Sequence, residues 1–224
     1  MSGKLIVIEG LDGSGKATQT ELLCKKTEQL GLRYSRISYP NYDSPSSSLV
    51  KMYLGGELSK DPDGVNPYAA AAFYAVDRCA DFLKYRKEEY ENGGLFISDR
   101  YATSNAVYQT SKLPRNEWEA YINWLDDFEY NKLGVPKPDL VIYLDMDISV
   151  SQKLLSKRYN GIESKKDIHE ADTEFLKRCR ETALFAAKTL GWHVVRCDDG
   201  ENPRSLESIS HDIYEAARPF LESL

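Results

Sequence analysis

Residues Lys4 to Thr18 read KLIVIEGLDGSGKAT, an apolar run that leads directly into a glycine-rich loop ending in Gly-Lys. Leu5-Ile6-Val7-Ile8 is short, apolar and β-branched, which predicts a strand buried on both faces. Ala17 to Leu30 then carries Leu22, Leu23, Lys26 and Leu30 at helical spacing. A loop with glycines at Gly10, Gly13 and Gly15 folds tightly enough to aim several backbone N–H groups inward, and the following helix adds the positive end of its dipole. The segment from Gly10 through Leu11, Asp12, Gly13, Ser14, Gly15, Lys16 and Ala17 to Thr18 therefore reads as a cradle for the phosphates of a nucleoside triphosphate, with Lys16 reaching the outer phosphates. One position departs from the rule. The residue after the lysine is normally Ser or Thr, whose hydroxyl joins the Mg²⁺ shell, and here it is Ala17. Either Thr18 substitutes or carboxylates hold the metal.

The chain's 224 residues suit one α/β domain with a full core. With 29 basic against 35 acidic residues the net charge is −6, so no broad basic surface points to nucleic acid. Cys24, Cys79, Cys179 and Cys197 form no Cys-x-x-Cys pair, which argues against zinc and against a disulfide framework. No charged and apolar leader precedes the first strand, and no apolar run approaches the roughly 20 residues that cross a bilayer. The expectation is a soluble protein of the cytoplasm or an equivalent reducing compartment, without a membrane partner.

Five segments read as strands: Leu5 to Glu9, Arg33 to Ser38, Leu95 to Asp99, Leu140 to Asp145 and His193 to Cys197. Helical patterns fill the gaps, among them a long one from about Pro67 to Glu91. Such alternation predicts a parallel sheet covered on both faces, with ligands beyond the carboxyl ends of the strands. Tyr39-Pro40-Asn41-Tyr42-Asp43-Ser44-Pro45 must be loop. The polar, basic stretch KRYNGIESKKD, Lys157 to Asp167, interrupts two helical patterns, Ser149 to Ser156 and Ala171 to Leu190, and reads as a lid.

The third strand ends in Ser98-Asp99-Arg100-Tyr101. A carboxylate there can orient Mg²⁺ or its water, and an arginine beside it can fork onto a phosphate. Alone, the same residues also describe a surface ion pair at a strand end.

GLDGSGKATQ at the start, YPNY at Tyr39 to Tyr42, FYAVDR at Phe73 to Arg78, SDRYATSNAVYQ at Ser98 to Gln109, LGVPKPDLVIYLD at Leu133 to Asp145 and DIHEAD at Asp167 to Asp172 resemble, in chain order, the thymidylate kinase family. The resemblance implies a P-loop nucleoside monophosphate kinase fold: a five-stranded parallel sheet flanked by helices on both faces, with a short lid at about 157–167. It implies ATP as donor, dTMP as acceptor, Mg²⁺, and a homodimer through the long helices. It puts Tyr74 where an aromatic ring stacks on thymine, and Arg78, one helical turn on, where a side chain contacts the base carbonyl. Asn105 matches the residue at the base edge, Arg100 the arginine that binds the acceptor phosphate, and Tyr42 an aromatic hydroxyl near it. Tyr108 matches a tyrosine whose bulk favours deoxyribose. Asp12, Asp99, Asp167 and His169 complete the implied acceptor surroundings, although tyrosine is frequent where this chain has His169. By the same resemblance Asp12 and Glu170 hold Mg²⁺ or orient its waters, so Ala17 is a tolerated departure.

The basic residue that screens charge during transfer comes in this family from the P-loop or from the lid. Gly13 and Ser14 are uncharged, which leaves Arg158, Lys165 and Lys166, with Arg158 preferred because a guanidinium bridges phosphate oxygens. The expected catalytic set is Lys16, Arg100, Arg158 and Asp12. Two alternatives remain at this stage: a related kinase acting on another nucleotide or a deoxynucleoside, and a P-loop nucleotide switch. Against the switch stands the lack of an Asn-Lys-x-Asp guanine signature.

Overall fold

The computed structural model describes residues 2–158 and 172–223. The lid expected at 157–167 falls on residues outside this description, except for Lys157 and Arg158, which end a helix and whose side chains are likewise outside it.

The chain begins with β1 (Lys4–Gly10), α1 (Lys16–Gln29), β2 (Ser35–Ser38) and α2 (Ser48–Leu54). The long helical pattern forms α3 (Pro67–Asp81), a π-helical stretch over Phe82–Arg86 and α4 (Lys87–Glu91). Next come β3 (Leu95–Asp99), α5 (Thr103–Tyr108) and α6 (Trp118–Asp126), which runs into a second π-helical stretch over Asp127–Lys132. The chain continues through β4 (Leu140–Asp145), α7 (Ile148–Arg158), α8 (Thr173–Leu190), β5 (His193–Arg196) and α9 (Leu206–Leu221). The second strand starts two residues later than its apolar pattern suggests and the fifth ends one earlier; strand ends are where pairing gives way to turns.

All five strands are parallel, in the order β2-β3-β1-β4-β5. β1 is central, and alternation along it feeds both layers. Ile6 and Ile8 pack with Leu23 and Cys24 of α1 and with Ile209 and Ile213 of α9. Leu5 and Val7 face the other way, onto Phe96, Tyr101 and Val141. Each of these fully buried aliphatic side chains contributes about 1.5–3 kcal/mol from the area it removes from water.

This strand order puts a topological switch between β1 and β3, because the chain leaves β1 to one side for β2 and leaves β3 to the other side for β4. The loops after β1 and β3 then splay apart and leave a crevice between them. Register sharpens the step. Ile8 is level with Asp99, so Glu9 and Gly10 extend past β3 and pair only with Tyr143 and Leu144 of β4. Among the described residues no helix is long and apolar enough to cross a membrane.

Candidate active site

The glycine loop closes the end of β1 and delivers the chain into α1. Gly15 has φ 87°, a left-handed conformation that glycine adopts without penalty, and it stands at the N-cap with no side chain capping the helix. The first N–H groups of α1 are thus left for an anion. Gly13 answers a different constraint. A Cβ there would lie 2.7 Å from the carbonyl oxygen of Ser151 on α7, so only glycine lets that helix sit against the loop.

Lys16 is largely buried and folds back over the loop, its Nζ donating to the Leu11 carbonyl at 2.9 Å and lying 3.8 Å from Asp12 Oδ1. Burial, followed by the nearby Arg100 cation, pushes its ammonium below the ordinary lysine range, while Asp12 and Asp99 pull the other way. A polyphosphate beside Nζ would relieve both unfavourable effects.

Residues of the glycine loop and those matched by the family resemblance open on one cavity of about 940 Å³. Asp12, Gly13, Gly15, Lys16, Ala17 and Thr18 form one wall; Tyr42, Tyr74, Arg78, Asp99, Arg100, Asn105 and Tyr108 form the other. The structure therefore brings together most of the sequence-predicted residues. Arg158 contributes no described side chain, and Asp167, His169 and Glu170, with Lys165 and Lys166, lie outside the described residues.

Arg100 follows β3 with φ 66°, an uncommon conformation for a residue bearing a Cβ. Its guanidinium donates to Asp12 Oδ1, reaches Tyr108 Oη and Ser104 Oγ at 3.4 Å each, and stands 3.8 Å from Glu9 Oε1. Burial alone would push it down, but Asp12, Tyr108 and Glu9 outweigh that and hold it well above its ordinary value. Tyr108 Oη donates to Asp12 Oδ2 at 3.0 Å. Burial drives the Tyr108 phenol well above its usual range, so it stays a neutral donor at any physiological pH.

Arg78, on α3, is 1% exposed yet lines the cavity. Its Nε and Nη2 donate to the two oxygens of Glu129 at 3.1 and 2.6 Å. The rings of Tyr39 and Tyr101 lie 5.5 and 5.2 Å from its guanidinium carbon. Asn105, on α5, donates from Nδ2 to Ala71 O and to Glu129 Oε1, each at 3.2 Å.

Several residues of this site escape a reading of the sequence. Glu9 is fully buried and accepts from Thr103 Oγ1 at 2.7 Å, Ser104 Oγ at 2.8 Å and the Gly10 amide at 2.9 Å, tying the P-loop to the start of α5. Asp77 and Asp81 anchor the Tyr39–Asn41 loop to α3: Asn41 N donates to Asp77 at 2.8 Å, while Asn41 Nδ2 and Tyr39 Oη donate to Asp81 at 2.7 and 2.9 Å. Gln109 lines the cavity with a buried Oε1 that has no hydrogen-bond partner among the described residues. Glu9 closes the apolar run Leu5-Ile6-Val7-Ile8, and Asp77 and Gln109 fall inside the segments FYAVDR and SDRYATSNAVYQ without a role of their own in the sequence.

For Mg²⁺ the chemistry of the wall is suitable. Asp12, Asp99 and the Thr18 hydroxyl offer hard oxygen ligands, whereas no group of three His, Cys, Asp or Glu side chains among the described residues could cage a metal. That is the pattern for an ion carried by one or two carboxylates, waters and substrate phosphates.

The sequence matches the family model described as thymidylate kinase over residues 8–206. It is 32% identical over 213 residues to a probable thymidylate kinase of Thermococcus gammatolerans, covering 94% of each chain. It is 32% identical over 203 residues to the thymidylate kinase of Mycobacterium tuberculosis, covering 87% of this chain and 92% of that one. A thymidylate kinase structure from Candida albicans superposes with a TM-score of 0.68 over 98% of this chain and 92% of its own, at 21% identity. The family model spans residues 8–206 and both sequence relatives align over most of the chain, so the chain belongs to the thymidylate kinase family.

Proposed function

We propose that this kinase moves the γ-phosphoryl group of ATP onto the 5′-phosphate of dTMP, giving dTDP and ADP. The observation that carries this reading is the shared cavity, in which an uncapped helix N-terminus and Lys16 face an acceptor wall of Tyr74, Arg78, Arg100 and Asn105. The acceptor oxygen is already anionic near neutral pH, so no general base is needed, and catalysis rests on alignment and charge neutralisation.

In this reading Lys16 and the loop amides hold the donor phosphates, and Arg100 takes the acceptor phosphate in place of Asp12. Tyr74 stacks on the base, Arg78 and Asn105 read its edge, and the bulk of Tyr108 beside Arg100 disfavours a 2′-hydroxyl. Tyr42, half exposed at the rim, adds a hydroxyl to the acceptor side. Asp12 and Asp99, together with Glu170 and waters, would hold Mg²⁺, which when bound neutralises charge on the donor phosphates. Arg158 is our choice for the cation that covers the transferring group, with Asp167 and His169 on the acceptor side. Val76, Leu83 and Tyr85 expose apolar surface along α3 and its continuation, which supports a homodimer through that face.

A thermal-shift panel tests the acceptor assignment, because a ligand that binds only the folded chain raises its melting temperature. dTMP should raise it more than dUMP, dCMP, AMP or GMP at equal concentration. An equal or larger shift with another monophosphate would point to a kinase with a different acceptor.

A further inference from the structure

The base-reading pair of the cavity is held by a residue that is not itself in the cavity. We propose that Glu129 is a positioning residue that fixes the order of donor and acceptor along the base-reading edge, and so sets the preference for an imide pyrimidine over an amino pyrimidine. This rests on the dTMP reading of the cavity.

Glu129 is fully buried in the π-helical stretch after α6 and is absent from the cavity lining. Its two oxygens grip Arg78 at Nε and Nη2, a two-point attachment that stops the planar guanidinium from rotating. Tyr39 and Tyr101 hold the plane of the same group. Three N–H groups are left, two on Nη1 and one on Nη2, so Arg78 can offer the cavity donors and nothing else. Burial works against the charged guanidinium, and the attraction of Glu129 outweighs it, so the donor character does not lapse.

Asn105 is fixed by the same carboxylate. Its Nδ2 faces two acceptors, Ala71 O and Glu129 Oε1. Turning the amide over would set Oδ1 against both of them, two lone-pair contacts in a buried place, so Oδ1 remains on the opposite side as an acceptor. The edge thus carries a donor from α3 and an acceptor from α5.

Uracil and thymine present the matching order, an O4 acceptor beside an N3–H donor. Cytosine presents the inverse, an N4 amino donor beside an unprotonated N3 acceptor, and would set donor against donor. Sites that leave buried polar groups unpaired discriminate strongly, by up to about 10⁴-fold. Without Glu129 the Arg78 guanidinium loses its two-point attachment and the amide of Asn105 keeps only the Ala71 carbonyl to hold it, so both groups can leave the fixed order and the discrimination weakens. An alternative is that Glu129 merely holds α3 to the segment after α6; a buried ion pair by itself is weak evidence for stability.

Glu129→Gln and Glu129→Asp, each checked for folding by its melting transition, separate these. The first keeps the shape of the side chain but can donate to Asn105; the second keeps the charge, so the buried Arg78 is not left unpaired, but withdraws the oxygens by one methylene. For wild type, kcat/KM should favour dTMP over dCMP. In both variants that ratio should fall by about tenfold or more, through a higher KM for dTMP, with kcat for dTMP changed by less than about threefold. If Glu129→Gln does not fold, Glu129→Asp decides alone. Equal losses for dTMP and dCMP, leaving the ratio as in wild type, would overturn the positioning role. A wild type without preference for dTMP over dCMP would instead overturn the dTMP reading on which it rests.

Discussion

Arg100 and Asp12 are paired across the mouth of the P-loop: the guanidinium expected to receive the acceptor phosphate donates to the carboxylate expected beside the metal. Each neutralises the other until substrates arrive, so a bound phosphate and a bound cation would exchange one ion pair for two.

Asp12→Asn separates the two halves of that exchange. It should lower turnover at least about tenfold and raise the Mg²⁺ concentration needed for half-maximal rate, while dTMP affinity stays equal or improves because Arg100 is released. Ala17→Ser, which restores the hydroxyl, should shift the Mg²⁺ requirement by less than about twofold if carboxylates carry the ion. Magnesium titrations at fixed ATP read both. A large gain from Ala17→Ser with no effect of Asp12→Asn would move the metal site away from Asp12.

Lys16→Ala should remove most phosphoryl transfer, about 10²-fold or more, and leave dTMP binding within about twofold of wild type. Calorimetric titration with dTMP alongside a coupled rate assay provides the check. Turnover within a few-fold of wild type would dissociate Lys16 from the donor phosphates.

Lys112 gives a pH signature away from the active site. Its Nζ donates to Tyr53 Oη at 2.8 Å and to Val65 O at 3.2 Å, and burial lowers its ammonium to about 8 against the opposing pull of Asp63. Below pH 8 the side chain is charged in both folded and unfolded chains, so the burial penalty is present in full. Between about pH 8 and the ordinary lysine value near 10.4, the unfolded chain binds more protons, and this site's contribution to stability rises with pH. Lys112→Met removes that slope. The melting temperature of the variant minus that of wild type should therefore fall as pH rises from 7 to 10; a difference independent of pH would mean that Lys112 titrates like an exposed lysine.

The five strands and the P-loop are legible in the sequence because their signals are local: β-branched runs bounded by glycine, and glycines where the backbone must turn or admit a neighbour. Arg100 is legible for a related reason, since it follows directly from the end of β3, whereas Asn105 and Tyr108 are reached only through the family resemblance of the segment Ser98 to Gln109. Glu129 is not. Its spacing from the buried Ile122 and Leu125 already turns it inward, but nothing local identifies its partner Arg78, which lies far away in the chain on α3. Asp77 and Asp81 are similar: their helix is predictable, but their partners in the Tyr39–Asn41 loop belong to the packing of distant segments. Arg100's positive φ left no trace, because a residue held there by tertiary contacts is one that local propensity disfavours.

The proposed occupation of one cavity by donor and acceptor requires that phosphate pass directly between nucleotides. Phosphorus NMR of wild-type protein with ATP, Mg²⁺ and dTMP follows this without a coupling enzyme. Signals of dTDP and ADP should grow together in equal amounts, with no inorganic phosphate, and the Arg100→Ala and Lys16→Ala proteins should leave both substrates largely unconverted over the same interval. Release of inorganic phosphate without dTDP, or conversion by Arg100→Ala at the wild-type rate, would contradict direct transfer between these two walls.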